Sequence, residues 1–96
     1  MKTLHSLLKE GRQAKNLKHK DVVTLTGIDQ ALLSKYENGS RLPTEAHLMQ
    51  LGEAYGLEIR QLRVFWVAEK VVGLSRQYEI PVDEIMMVAE SRVEFL

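Results

Sequence analysis

The feature that most constrains the fold is the stretch from Leu17 to Thr44, LKHKDVVTLTGIDQALLSKYENGSRLPT. Apolar residues at helical spacing stop at Thr26-Gly27, where glycine lets the chain leave a helix through positive φ. Ile28 then returns an apolar group to the core, and Asp29 stands where a helix N-cap is expected. A second apolar pattern ends at Asn38-Gly39. The stretch therefore predicts two short helices joined by a tight turn.

Part of this stretch, LLSKYENGSRLPT, resembles the signature of the phage-repressor/Cro-type (XRE) helix-turn-helix family of bacterial DNA-binding proteins. The matching residues are Leu33, Ser34, Lys35, Tyr36, Glu37, Gly39, Arg41 and Pro43. The resemblance covers residues 4 to 62 approximately and implies a five-helix repressor-like domain. The chain departs from the family at His19, which replaces a glutamine, at Val23, which replaces a small alanine, and at Gly11, where an apolar residue is usual.

Helical periodicity predicts an all-α chain of six helices. The first runs from about Thr3 to Lys15, the fourth begins at Thr44 and ends at Gly56, and the fifth begins near Glu58. We predict a DNA-binding domain in residues 1–62 and a helical extension in residues 63–96. A break at Ile80-Pro81 divides this extension, because proline disfavours helix in the residue before it.

The resemblance also assigns roles to individual residues. In a helix-turn-helix, the N-terminal part of the second helix contacts base edges, which here implies Gln30, Ala31 and Lys35. The predicted contacts to the DNA backbone are Lys18, His19, Lys20, Ser34, Asn38, Ser40 and Arg41. Arg12 and Glu37 correspond to a partly buried structural ion pair of the family. The alternative for each lysine is an ordinary solvated side chain, and for Gln30 a polar residue of the first helical turn.

The formal net charge of zero conceals a segregated distribution. Residues 1–41 contain eight Lys/Arg and four Asp/Glu, a balance of +4, whereas residues 42–96 contain five and nine, a balance of −4. Phosphate contacts need a local positive potential, so this distribution fits an N-terminal DNA-binding face. Considered alone, the excess is equally compatible with chance.

Other classes of protein find little support in the sequence. The lack of cysteine excludes disulfides, cysteine nucleophiles and thiolate metal sites. His5, His19 and His47 do not have the spacing of metal ligands, and no catalytic motif accompanies them. We therefore expect no enzyme activity, no metal and no cofactor. We expect neither a membrane-spanning segment nor a signal peptide, and we expect a cytoplasmic protein of a bacterium.

The extension has more apolar surface than closure of a five-helix domain requires. We predict that it forms the interface of a homodimer that binds an inverted-repeat operator. The predicted interface residues are Phe65, Trp66, Val71, Val72, Ile85 and Val93. Alternatively, the last helix folds back on its own domain.

These features predict a sequence-specific transcriptional regulator that acts as a homodimer on double-stranded operator DNA. The string LRVFWVAEKV resembles a segment of an XRE subgroup found beside DNA-methyltransferase or restriction genes, so a restriction-modification controller is a narrower hypothesis. The competing class is an antitoxin-like or scaffold module that binds a protein partner through the same fold. Acidic side chains such as Asp21 on the predicted DNA face would favour that alternative.

Overall fold

The computed structural model describes residues 2–93, and every regular element in that range is an α-helix. Met1 and residues 94–96, at the end of the predicted extension, lie outside the described residues. The six helices are α1 (Leu4–Ala14), α2 (His19–Thr26), α3 (Gln30–Asn38), α4 (Glu45–Tyr55), α5 (Ile59–Tyr78) and α6 (Val82–Val93). The prediction of an all-α chain is confirmed.

The chain divides into two compact units, residues 1–66 and residues 67–96. This division falls within α5, which is one helix of 20 residues. The predicted five-helix domain implied that the fifth helix ends near Leu62, and the observed helix instead continues to Tyr78. The physical reason is that neither glycine nor proline interrupts the sequence from residue 57 to residue 72.

The first unit has a single apolar core to which each of its helices contributes. The buried side chains are Leu4, Leu8, Val22, Ile28, Leu33, Tyr36, Leu48, Leu51, Tyr55 and Leu62. Most are separated by three or four residues within a helix, so each helix turns one face inward. Burying one such side chain contributes about 1.5–3 kcal/mol, and Leu33 and Tyr36 in particular fix α3 against the rest of the unit.

Local signals define the helix ends. The Thr3 hydroxyl accepts a hydrogen bond from the backbone N–H of Ser6 at 3.2 Å, and the Thr44 hydroxyl accepts one from the N–H of His47 at 3.1 Å. These bonds satisfy N–H groups that a helix N-terminus otherwise leaves unpaired. Gly56 ends α4 with a φ of 65°, as its position in the sequence predicts.

Gly11 accounts for one departure from the family pattern. It is buried, and a Cβ on it would lie 3.0 Å from Leu57 Cδ1 and 3.3 Å from Tyr55 Cβ. Leu57 and the large Tyr55 side chain therefore occupy the space that an apolar side chain at position 11 would fill. Burial raises the pKa of the Tyr55 phenol to about 12.

The second unit is built differently from the first. In its described part, residues 67–93, no side chain is fully buried. Its large exposed apolar side chains are Val67, Leu74, Tyr78, Ile80, Val82, Met86, Met87, Val88 and Val93. Even so, no helix within residues 2–93 is sufficiently long and apolar to cross a membrane.

Candidate nucleic-acid interface

The turn between α2 and α3 is held by Thr26, whose side chain makes two hydrogen bonds. Its hydroxyl donates to the carbonyl of Val22 at 2.7 Å and accepts from the N–H of Ile28 at 3.1 Å. Gly27, with a φ of 75°, reverses the chain between them. Because Ile28 is buried in the core, the turn is anchored from both sides and holds α3 in a defined orientation to α2.

Helix α3 has two distinct faces. Leu33 and Tyr36 are buried, whereas Gln30, Ala31 and Lys35 are exposed. The structure thus leaves the three predicted base-contacting side chains accessible on one short helix. It also leaves these side chains without any hydrogen bond to the rest of the described chain that would hold them away from solvent.

A bond to α4 supports the buried face of α3. The Tyr36 hydroxyl lies 2.7 Å from Nδ1 of His47, and the two rings meet edge to face with centroids 5.9 Å apart. Burial raises the pKa of the Tyr36 phenol above its ordinary value. His47 is thus a structural partner of α3, and the sequence alone did not assign it that role.

Most of the predicted backbone-contacting residues are exposed. The exposed members are Lys18, Lys20, Asn38, Ser40 and Arg41, and Ser34 is half-buried. Asn38 accepts a hydrogen bond from the N–H of Ser40 through Oδ1 at 2.9 Å, which leaves its NH₂ group as a donor. Gly39, with a φ of 79°, ends α3 and starts this loop.

Arg12 and Glu37 form a bidentate ion pair behind α3. Arg12 Nε donates to Glu37 Oε2 at 2.8 Å and Nη2 donates to Oε1 at 3.0 Å, while Nη1 donates to the carbonyl of Leu17 at 2.8 Å. Their side chains are only 14% and 8% exposed. Burial acts to raise the pKa of Glu37, but the hydrogen bonds and charge of Arg12, together with the adjacent His19 imidazole, outweigh it, and the pKa is lowered.

His19 differs from the other predicted phosphate contacts. Its side chain is 24% exposed, and Nε2 lies 3.2 Å from Oε1 of Glu37. The two atoms are within ion-pair distance, but Nε2 is buried and makes no aligned hydrogen bond among the described residues. Nε2 therefore lies beside the Arg12–Glu37 pair, and the contact of His19 with a DNA phosphate stays a prediction.

A shallow cleft of about 390 Å³ opens beside this ion pair. Its lining residues are Lys9, Arg12, His19, Ser34, Glu37 and Asn38. Lys9 is exposed and adds a cation that the sequence motif did not identify. The signal that could have found it is its position on α1 three residues before Arg12, which puts both on one helix face.

Two acidic residues lie near the start of α2 and α3. Asp21 Oδ2 accepts a hydrogen bond from the N–H of Lys18 at 2.8 Å, so this carboxylate caps the start of α2. Asp29 is exposed at the N-cap position of α3, where its side chain makes no capping hydrogen bond. Asp21 is therefore engaged in the fold, whereas Asp29 is an exposed carboxylate at the start of α3.

Phe65 and Trp66, two of the predicted dimer contacts, are already packed against the core of the first unit. Trp66 Nε1 donates to the carbonyl of the buried Pro43 at 2.8 Å, which ties α5 to the loop that follows α3. The first unit uses both aromatic side chains for its own packing, a role that the dimer prediction did not give them. Val71, Val72 and Ile85 are half-buried and Val93 is exposed.

Comparisons with known proteins support one assignment. A family model described as helix-turn-helix matches residues 8–62, which is more than half of the chain and includes α2, α3 and the turn between them. No curated protein and no solved structure matches the chain. Within residues 2–93, no group of His, Asp and Glu side chains has the arrangement of a metal site.

Proposed function

Because this chain belongs to the phage-repressor/Cro-type (XRE) helix-turn-helix family, we propose that it regulates transcription by binding operator DNA as a homodimer. The family membership makes it a DNA-binding helix-turn-helix protein in general. The proposal adds the operator, the two-fold assembly and the residues that recognise bases. It also implies that the protein works in the cytoplasm, where bacterial DNA is accessible.

One observation carries the proposal. Gln30, Ala31 and Lys35 are exposed on α3, while Leu33 and Tyr36 fix the opposite face in the core. Glutamine can pair with the N6 and N7 edge of adenine, lysine can donate to guanine, and alanine can contact a thymine methyl group. The lysines and arginine at the ends of α2 and α3 supply the charge that attracts phosphates.

A homodimer follows from the size of the recognition surface. One short helix that contacts three or four base pairs cannot discriminate strongly against the many non-specific sites of a genome. Two copies related by a two-fold axis double the number of bases contacted. Their recognition helices must then lie about 34 Å apart to enter successive major grooves on one side of the duplex. We therefore expect an inverted repeat as the operator.

Selection of bound sites from random duplex DNA tests the proposal directly. We expect an inverted repeat to be enriched. Gln30→Ala should weaken binding to that repeat by about 1–3 kcal/mol and relax the preference at one base pair in each half-site. Gln61→Ala, at an exposed position of α5, is the matched control and should leave both unchanged. If Gln30→Ala lost equal affinity for the selected repeat and for random DNA, the assignment of base recognition to α3 would be contradicted.

A protein partner is the second candidate function, and the exposed carboxylate of Asp29 beside α3 favours it. An antitoxin-like or scaffold module would retain partner binding when Lys18, Lys20 and Arg41 are all changed to Gln, whereas a DNA-binding protein would lose operator affinity. Control of a restriction-modification operon is the narrower form of the main proposal. It rests on the string LRVFWVAEKV and predicts that the selected repeat lies upstream of such genes.

A further inference from the structure

The distal half of α5 carries an apolar stripe of which three of the four side chains are exposed. The stripe consists of Val67, Val71, Leu74 and Tyr78, separated by four, three and four residues. Val67, Leu74 and Tyr78 are 52%, 53% and 63% exposed, and Val71 is half-buried. Residues at alternating spacings of three and four lie along one side of a helix and repeat every seven positions.

Within residues 67–93, the described part of the second unit, no buried side chain forms a core that could support these helices. Helix α6 has no fully buried side chain. An isolated helix of 12 residues is marginal in water, and most helical stability in proteins comes from packing an apolar face. The unit therefore needs a partner to bury its apolar side chains.

The exposed apolar area matches what a stable dimer requires. Nine large apolar side chains of this unit are between 37% and 71% exposed. Met86, Met87 and Val88 are consecutive on α6 and cannot all lie on one face, so about seven of the nine can share a surface. At roughly 100 Å² each, these seven offer about 700 Å², close to the 800 Å² per partner that a standard interface covers. The stripe alone spans two heptads and would supply less than half of it, so α6 must contribute as well. A second copy is the simplest occupant, because an identical stripe is complementary to itself across a two-fold axis.

The residue types and the charges are compatible with a parallel alignment. In heptad terms Val71 and Tyr78 take one core position, and Val67 and Leu74 take the other. In parallel coiled coils, a β-branched residue at the first position with leucine at the second favours two strands. Val71 and Leu74 fit this pattern, and Val67 and Tyr78 do not. In a parallel pair, residues on opposite flanks of the stripe meet, which brings Lys70 beside Ser75 of the second copy. No two like charges then face each other across the stripe.

We propose that the partner of this stripe is the same stripe of a second copy, aligned in parallel, so that the distal halves of two α5 helices form the centre of the dimer interface. This inference rests on the proposed function, which supplies the dimer. Within that dimer, the stripe takes the place of Phe65 and Trp66, two of the interface residues predicted from the sequence. The interface continues onto the apolar side chains of α6.

Sedimentation of the full chain tests the occupant without reference to DNA. We expect a concentration-dependent dimer whose dissociation constant rises roughly tenfold or more in Leu74→Glu, since the substitution buries a charge at the centre of the stripe. Leu25→Glu is the matched control, because it adds the same charge in place of a leucine that is 61% exposed on α2. Circular dichroism checks that both variants remain helical. A monomer at high micromolar concentration, or equal effects of the two variants, would overturn the proposal.

Cross-linking tests the orientation, since the chain contains no cysteine of its own. Tyr78→Cys and Val67→Cys should each form a disulfide with a second copy of the same variant if the stripes are parallel. In an antiparallel pair the two introduced thiols of Tyr78→Cys would be about 16 Å apart, from a rise of 1.5 Å per residue. Disulfides would then form only in a mixture of the two variants, and that result would overturn the parallel arrangement. Arg76→Cys, outside the stripe, is the control.

The failure of this inference and that of the proposed function give different results. A dimer that is weakened by Leu74→Glu but selects no DNA sequence would support the stripe as the interface and contradict the proposed operator. Selection of an inverted repeat by a dimer that is insensitive to Leu74→Glu would support the operator and contradict the stripe as the interface.

Discussion

The guanidinium of Arg12 donates two hydrogen bonds to the carboxylate of Glu37, at 2.8 and 3.0 Å, and so joins α1 to the C-terminal half of α3. Both side chains are mostly withdrawn from water. A buried pair contributes little net stability against an apolar replacement, but the loss of one member leaves an unpaired buried charge. The pair therefore acts mainly to fix the orientation of α3.

We expect Glu37→Ala to lower the free energy of unfolding by about 3 kcal/mol, because Arg12 would keep a buried charge without its partner. Urea unfolding followed by the fluorescence of Trp66, the single tryptophan, measures the change. Glu10→Ala is the control: its pair with Lys2 is exposed and should contribute less than about 1 kcal/mol. Similar losses in the two variants would mean that burial of the pair has no energetic consequence.

Acid should destabilise the first unit through the same carboxylate. The pKa of Glu37 is lower in the folded chain than its ordinary value, so the pair stabilises the fold fully above the ordinary glutamate pKa of about 4.3. This contribution declines as the pH falls below that value and is lost once the pH passes the lowered folded pKa. Urea midpoints measured from neutral pH to pH ~3 should fall more steeply for the natural chain than for Glu37→Gln. If the urea midpoint fell equally steeply with pH in the two proteins, the assignment of this pH dependence to Glu37 would be contradicted.

Two glycines should respond to alanine with opposite signs. A Cβ at Gly52 would lie 2.6 Å from Ile59 Cδ1 and 2.9 Å from Leu62 Cδ1, so Gly52→Ala should cost about 1–3 kcal/mol through overpacking between α4 and α5. Gly73, inside α5, has nothing within 4 Å of the added atom. Gly73→Ala should therefore raise helicity and stabilise its helix by about 0.5–1 kcal/mol. Circular dichroism during thermal unfolding compares the stability of the two variants. If Gly52→Ala were stabilising, the close approach of α5 to Gly52 would be refuted.

His19 and Lys20 are adjacent but should behave differently. We expect Lys20→Ala to reduce the salt dependence of DNA binding by about one phosphate contact and to leave stability unchanged, because the side chain is exposed. His19→Ala should also lower the free energy of unfolding, by about 1 kcal/mol, since it removes the imidazole beside Glu37. Salt titrations of binding and urea unfolding of each variant separate the two effects. An unchanged unfolding midpoint in His19→Ala would assign His19 to the surface.

Much of the first unit could be predicted because its signals are local. The threonine N-cap at Thr44 and the glycine at position 27 act on residues within one turn, so the sequence around them is sufficient. The alternation of buried and exposed positions on α3 is equally local. The length of α5 was predictable in principle, since no breaker follows Leu62 until Gly73, but the family pattern suggested an earlier end.

Local sequence signals could not predict contacts between residues that are distant along the chain. The bond from Trp66 to the carbonyl of Pro43 spans 23 positions, and its existence depends on how α5 packs against the loop after α3. The same limit applies to His19, whose sequence position matches a phosphate contact while its imidazole lies against Glu37. Side chains that can serve either a fold or a ligand need the tertiary structure to distinguish the two roles.

The separation of faces on α3 has a consequence for how such a protein can change over time. Gln30, Ala31 and Lys35 are exposed and their side chains carry no bond that supports the fold, whereas Tyr36 and Glu37 hold the helix from behind. Under the proposed function, substitutions at the three outer positions alter which operator is preferred without a penalty in stability. New binding specificities would then be accessible by single mutations, and a duplicated copy of the gene could acquire a different target while it keeps the same scaffold.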